Sequence, residues 1–194
     1  MVDLKTALGY LATIISFGSY IPYFRSIFAG KTKPHAFSWF VWGLLTAIAF
    51  AAQVSEKAGA GSWVTASTAV ACFAVFFVAL WKGYRDFVKL DWFALFSALV
   101  AIILWALTKN PLLSIILVTV ADALGFLPTF RKGYYHPHEE TMTLYSFSTL
   151  KYAIGIFALE SLIFTTWLFP ASLVLTNGLF VLMILHRRSK ISLK

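Results

Sequence analysis

Two stretches decide the fold of this chain: Pro-Tyr-Phe-Arg at residues 22–25, followed by Pro-His at 34–35, and Pro-Thr-Phe-Arg at 128–131, followed by Pro-His at 137–138. Each stretch ends one apolar run and precedes another. A motif that recurs after about a hundred residues indicates an internal duplication. In a membrane protein, duplicated helix sets with interrupted or proline-bearing helices are the usual architecture of a small-solute transporter.

The composition predicts a polytopic membrane protein. The 194 residues are 60% hydrophobic and 12% charged, whereas soluble domains carry about a quarter charged residues. The net charge of +8 does not call for a nucleic-acid partner, and we predict none, because Lys and Arg accumulate in the cytoplasmic loops of membrane proteins. The single cysteine, Cys72, excludes an intrachain disulfide.

Seven apolar segments approach or exceed the roughly 20 residues that a helix needs to cross a bilayer. They are spans 1 to 7, at about 6–28, 36–54, 62–82, 91–108, 111–130, 141–159 and 162–186. We interpret the first as a permanent span and not as a signal peptide. Lys and Arg are concentrated after spans 1, 3, 5 and 7, which predicts an outside N-terminus and a cytoplasmic C-terminus in the plasma (inner) membrane.

The duplication predicts how the spans are grouped. Pro22 aligns with Pro128 at one offset, and after a loop shortened by three residues Trp42 aligns with Tyr145. Spans 1–3 therefore match spans 5–7, and span 4 is an unpaired linker that lets both halves lie parallel. The predicted fold is all-α, with seven transmembrane helices in a 3+1+3 arrangement: residues 1–84, a linker at 85–110, and residues 111–194 with a basic tail.

This topology, with Pro-x-x-Arg at the inner ends of spans 1 and 5, resembles the SWEET/PQ-loop (MtN3-like) superfamily and its small bacterial inner-membrane members. That group includes sugar facilitators, amino-acid exporters, nicotinamide riboside channels and a retrieval receptor. The Gln of the family's Pro-Gln pair is replaced here by Tyr23 and Thr129. The resemblance implies transport through a pathway between two helix bundles.

Pro22 and Pro128 are candidate hinges or gates. A proline within a helix removes a backbone hydrogen bond and kinks the helix. Matched kinks at the inner ends of two helices would allow a cytoplasmic gate to open and close, and the resemblance implies the same role. The alternative is that both prolines only bend or end their helices, since membrane helices tolerate proline for structural reasons.

Two polar stripes are candidate substrate-binding surfaces. Ser38, Trp42 and Thr46 are spaced by four and share a helix face, and Tyr145 and Thr149 occupy the matching face of span 6. Aromatic faces stack on rings, and hydroxyls replace lost water contacts. The alternative is that these hydroxyls join helices and the aromatic rings anchor the interface.

A further candidate is Asn177, which precedes Gly178 in span 7. The resemblance to the sugar facilitators, which carry a substrate-contacting Asn before a Gly in that span, implies a binding role. Interhelical hydrogen bonding is the alternative.

Asp122 and Lys151 are charged residues near the middle of spans 5 and 6. A charge at that depth is costly and normally pairs or serves function. The simplest interpretation is an Asp122–Lys151 ion pair within the second half. Proton coupling through Asp122, or contact of either residue with a charged substrate, are the alternatives. The repeat places Ser16 and Ile48 at the matching positions of the first half.

The predicted function is a membrane transporter or facilitator for a small polar solute of the sugar, nucleoside-like or amino-acid class, working by alternating access. The alternative is a non-transporting receptor, or a sorting or scaffold protein on the same fold. No catalytic or phosphate-binding motif is present in the sequence, so we predict no enzyme activity, no cofactor and no metal site. The expected partners are the lipid bilayer and the solute, and oligomerisation is not required.

Overall fold

The computed structural model describes residues 3–30, 34, 36–83, 110–135, 137–140 and 142–190, and scattered positions between 89 and 107. At Phe37, Leu127, Pro128, Arg131, Lys132 and Glu139 only the backbone is described. The continuously described residues form six long helices: α1 (Leu4–Phe28), α2 (Ala36–Ser55), α3 (Trp63–Lys82), α4 (Pro111–Tyr135), α5 (Met142–Phe157) and α6 (Phe164–Lys190). Two short 3-10 helices, Gly59–Ser62 and Pro137–Glu139, precede α3 and α5.

The all-α prediction is confirmed for the described part of the chain, which contains no strand. The predicted span 4, at 91–108, lies mostly outside the described residues, although the positions described there are helical. The first helix begins where the Asp3 side chain accepts hydrogen bonds from the Thr6 backbone N–H (2.8 Å) and hydroxyl (2.9 Å). The Thr6 N–H bond, as the largest cause, holds the pKa of Asp3 below its usual value, as expected for a capping carboxylate.

Four of the helical segments are long and apolar enough to cross a membrane, and they are Leu4–Phe28, Ser38–Ser55, Gly59–Lys82 and Phe164–Lys190. The apolar part of α4 is shorter, Pro111–Phe126, and α5 has only 16 residues. Large apolar side chains cover the outside of the bundle, with Trp81 84% exposed and Phe157 73% exposed. Apolar surface of this extent is rare on soluble monomers, and it is compatible with a membrane protein.

The six helices form a closed ring. Following the contacts, the order is α1, α3, α2, α4, α6, α5 and back to α1. Exchanging α1 with α4, α2 with α5 and α3 with α6 leaves this order unchanged. The ring therefore has the same pairwise symmetry as the sequence repeat. Helices α4 and α5 are consecutive among the long helices, but each packs against α6, which separates them in the ring.

One end of the ring, which we call the glycine end, is tightly packed. A Cβ added to Gly9 of α1 would lie 2.7 Å from the Cβ of Ala60, and one added to Gly61 would lie 2.7 Å from the carbonyl oxygen of Gly155. The amide of Glu160 also donates to the carbonyl of Ala58. Glycine permits such close approaches because it has no side chain. The connection between α2 and α3, the connection between α5 and α6, and the first turns of α1 therefore pack together at this end.

The opposite end, which we call the basic end, carries Arg25, Lys82 and the C-terminal turns of α6. Arg188 donates to the carbonyls of Pro137 (2.9 Å) and Glu140 (2.7 Å) in the connection between α4 and α5. Arg187 donates to the carbonyl of Tyr134 and lies 4.1 Å from the centre of that ring. These bonds fix the second half of the basic end to α6.

Candidate functional site

A cavity of about 310 Å³ lies at the centre of the ring. All six long helices contribute to its wall, together with Pro34 from the connection between α1 and α2. Its volume is at the lower end of the range for small-molecule sites, about 300–1,000 Å³. A cavity shared by both halves of the repeat is therefore the candidate binding site.

Both predicted stripes supply residues to this cavity. Ser38, Trp42 and Thr46 line it from α2, and Tyr145 lines it from α5. The Thr46 hydroxyl donates to the carbonyl of Trp42 (2.6 Å), and the Thr149 hydroxyl donates to that of Tyr145 (3.0 Å), so the two halves repeat the same local bond. However, Thr149 is not part of the cavity wall, and its methyl group instead faces α6 at Gly178. The prediction that Thr149 lines the site is corrected accordingly.

Asn177 of α6 lines the cavity and is buried. Its side-chain amide donates to the carbonyl of Leu173 one turn earlier (2.8 Å). Within the described part of the chain its side-chain oxygen takes no hydrogen bond, and it remains an acceptor for a bound solute.

Aromatic rings form two facing walls. In the first half, Trp39 packs edge-on against Trp42, with ring centres 5.4 Å apart, and against Tyr20 at 6.1 Å. In the second half, Phe126 packs edge-on against Tyr145 at 5.9 Å. The offset that aligns Pro22 with Pro128 also aligns Tyr20 with Phe126, so the walls follow the repeat.

Asp122 contributes a carboxylate to the cavity from α4. The residue is 7% exposed. Among the residues that the structure describes, its carboxylate has no hydrogen-bond or ion-pair partner. No Lys, Arg or His occurs in the described cavity wall. Asp122 is thus the charged group that a bound solute would meet.

Lys151 is fully buried but does not line the cavity. Its ammonium donates to the hydroxyls of Ser16 on α1 (3.1 Å) and Thr68 on α3 (2.9 Å). It also lies 5.1 Å from the ring centre of Tyr20 and 5.2 Å from that of Tyr152. The lysine therefore lies outside the cavity wall, and its hydrogen bonds link α5 to α1 and α3 of the first half.

The predicted Asp122–Lys151 ion pair is not formed, because the two residues belong to different contacts of the ring. Lys151 faces the α1–α5 contact, whereas α4, which carries Asp122, packs against α2 and α6. Sequence order suggested that spans 5 and 6 are neighbours, but α6 lies between them. Ser16, which aligns with Asp122 in the repeat, accepts a hydrogen bond from the Lys151 ammonium instead.

The two candidate hinge prolines lie within helices. Pro22 is inside α1, which continues without a break to Phe28. Position 128 is inside α4, but the Pro128 side chain lies outside the described part of the structure. Their role as hinges stays a prediction.

The cavity approaches one end of the ring and stops short of the other. At the basic end it reaches Pro34, Tyr23 and Ser38. At the other end it stops at Thr68 and Phe169, five residues, or roughly 8 Å, from the first residues of α3 and α6. The packing of Gly9, Ala60 and Gly61 lies beyond that point.

The sequence analysis missed several aromatic lining residues, notably Tyr20, Tyr23, Phe126 and Phe169. Extending the repeat alignment two residues before the prolines would have identified Tyr20 and Phe126 as a pair. Phe169 has no comparable signal, since only the packing of α6 brings it to the cavity. A further proline inside a helix, Pro170, follows it in α6 and is buried.

No family model, curated protein or solved structure matches this chain.

Proposed function

We propose that the chain is a membrane transporter or facilitator that moves a small polar solute by alternating access between two helix bundles. The observation that carries this proposal is the central cavity, whose wall combines a carboxylate, an amide, hydroxyls and aromatic rings inside an apolar bundle. Polar and charged groups at such a depth are expensive and are typically functional. Sugars, nucleoside-like compounds and amino acids all present groups that these side chains bind.

The membrane arrangement that goes with this function has seven spans. In it the two three-helix groups are joined by a linker helix at 85–110, and the basic end faces the cytoplasm, as the distribution of Lys and Arg favours. The N-terminus is then outside. The resemblance to SWEET/PQ-loop proteins rests on the duplicated proline motif and this topology, and it belongs to the same proposal.

The mechanism is a rocking of one half against the other about the central site. A cavity that reaches the basic end and is closed at the glycine end corresponds to an inward-facing state. Opening the other side requires the contacts of Gly9, Ala60, Gly61 and Gly155 to separate, while Trp42 and Tyr145 approach each other at the basic end. Pro22 and Pro128 are the hinges in this scheme, because a proline leaves one helical hydrogen bond unmade and eases bending.

Solute flux into liposomes tests the function. The purified protein is reconstituted into liposomes and supplied with a panel of sugars, nucleosides and amino acids. We expect it to move one of these classes across the bilayer, and we expect Asn177→Ala to reduce that flux. The matched control is Thr176→Ala, which alters the neighbouring residue outside the cavity wall. A Pro22→Ala, Pro128→Ala double variant with parental flux would contradict the hinge role but not the transport function.

A receptor that binds without transporting is the second candidate. The packing at the glycine end favours it, since the described cavity wall ends at Thr68 and Phe169 and does not extend to that end. A solute or peptide that binds tightly and yet shows no flux above empty liposomes would favour the receptor.

A further inference from the structure

We propose that the central cavity binds its solute through a positively charged nitrogen, an ammonium or a related organic cation, held against Asp122 between the aromatic walls. This inference deepens the transport proposal and rests on it for its biological meaning. It assigns the chemical class of the ligand, which the sequence left open between sugars, nucleoside-like compounds and amino acids.

The first argument is the state of Asp122. Asp122 is 7% exposed as a residue, its side chain lines the cavity, and its carboxylate has no cation or hydrogen-bond donor among the described residues. A buried charge without a partner is unfavourable, and a bound cation would supply the missing partner. Lys151, the cation that the sequence analysis paired with Asp122, is held by Ser16 and Thr68 outside the cavity wall.

The second argument is the nature of the walls. Trp39 and Trp42 on one side and Phe126 and Tyr145 on the other present aromatic faces and edges to the same space. The negative face of an aromatic ring attracts cations, and recognition of substituted ammonium groups by several rings is the common functional use of that attraction. A carboxylate and an aromatic cage together select a charged nitrogen over a neutral group of the same shape.

The third argument is the asymmetry of the repeat. The aromatic walls are duplicated, but the carboxylate is not, because Ser16 stands at the matching position of α1. A neutral and roughly symmetric solute would need no such charge. One negative group in an otherwise duplicated cage fits a ligand with one positive centre.

The test compares binding of choline and of 3,3-dimethylbutan-1-ol, in which the charged nitrogen is replaced by carbon. Tetramethylammonium and benzyltrimethylammonium extend the series in size, and glycine betaine adds a carboxylate. Binding to the purified parent protein is measured by calorimetry and by quenching of tryptophan fluorescence. We expect at least one charged member to bind ten times more tightly than the neutral alcohol, and we expect Asp122→Asn to remove that preference.

The controls separate charge from folding. Glu160→Gln removes an acid outside the cavity, and this variant should still bind the cation more tightly than the alcohol. Trp42→Leu should weaken the binding of the cation more than the binding of the alcohol. Because the choline–alcohol comparison uses the parent protein, a poorly folded Asp122→Asn variant does not affect it. The proposal would be overturned if no charged member bound more tightly than the neutral alcohol, or if the preference for the charged compound survived in well-folded Asp122→Asn.

The outcomes also separate this inference from the transport function. Charged compounds that bind but do not cross the bilayer would support the site and contradict transport. Flux of a neutral solute with no ammonium binding would support transport and overturn the site. If Asp122→Asn abolished only the response of neutral-solute uptake to a pH gradient, Asp122 would be a proton acceptor and the inference would be wrong.

Discussion

At the scale of single residues, the most unusual group is the ammonium of Lys151. It is buried with two neutral hydroxyls as hydrogen-bond partners and two tyrosine rings beside it. Hydroxyls satisfy hydrogen-bond donors but do not compensate charge, so the lysine contributes less to stability than its contacts suggest. Ser16 and Thr68 are needed mainly because the lysine is there.

This view predicts the result of a double-mutant cycle between Lys151 and Thr68. Thr68→Val removes an acceptor from a buried ammonium and should cost about 1–3 kcal/mol of unfolding free energy. Lys151→Met removes the charge and leaves an unbranched apolar side chain that is shorter by one atom. The free energy of unfolding should stay within about 1 kcal/mol of the parent, because Thr68 still donates to the carbonyl of Val64. Thermal unfolding in detergent provides the measurement.

The cycle is decided by the double variant. In the Lys151→Met background, Thr68→Val should leave the free energy of unfolding almost unchanged, because no ammonium is then present to use the Thr68 hydroxyl as an acceptor. An equal cost in both backgrounds would show that the threonine acts through packing alone.

At the scale of helices, the glycine end holds close contacts between helices and the segments that connect them. Gly9 of α1 packs against Ala60 of the 3-10 helix, whereas at Gly18 of the same helix a Cβ would meet no atom of the described residues within 4 Å. The absence of a side chain therefore matters for packing at Gly9 and not at Gly18. The first allows close packing, and the second does not need its small size for any contact.

Alanine substitutions should separate the two glycines. Gly9→Ala would place a Cβ 2.7 Å from the Ala60 Cβ and 2.8 Å from its carbonyl oxygen, so backbone must move, at a cost of about 1–3 kcal/mol. Gly18→Ala should be neutral or stabilise by up to about 1 kcal/mol through helix propensity. Melting temperatures of both variants test the difference, and a second control is Gly125→Ala, which also meets open space. Equal melting temperatures for Gly9→Ala and Gly18→Ala would mean that the backbone at the glycine end can shift to accommodate a Cβ at little cost in stability.

Periodicity and the repeat predicted that the chain is helical, and they identified several residues that line the cavity. The spacing of Ser38, Trp42 and Thr46 placed them on one face, and that face lines the cavity. The same reasoning failed for Thr149 and for the Asp122–Lys151 pair. Spacing identifies the residues that share a face, but not which neighbour that face meets. That depends on the ring order, in which α6 separates α4 from α5.

At the scale of the whole molecule, the two ends of the ring differ. The order of helix contacts is the same in both halves, yet the cavity wall includes Pro34 at the basic end and stops short of the glycine end. In the alternating-access cycle that we propose, this difference between the two ends corresponds to one of the two conformations. A reagent applied from one side should therefore reach the site, and from the other side it should not.

Cysteine labelling in oriented vesicles tests this asymmetry. The chain has one cysteine, Cys72, so a Cys72→Ala background permits single reporters. Ser148→Cys lies in the cavity wall and should react quickly with a membrane-impermeant thiol reagent applied from the basic end. Ser62→Cys, at the packed glycine end, should react slowly from either side because Ser62 is 3% exposed.

The same reporters connect the structure to the cycle. If the protein alternates, a transported solute should slow the labelling of Ser148→Cys from the basic end and speed that of Ser62→Cys from the other side, because closing one end opens the other. A solute that protects Ser148→Cys while Ser62→Cys remains unreactive would indicate binding without opening. That pattern would favour a receptor over a transporter, since a receptor needs the cavity but never needs the glycine end to separate.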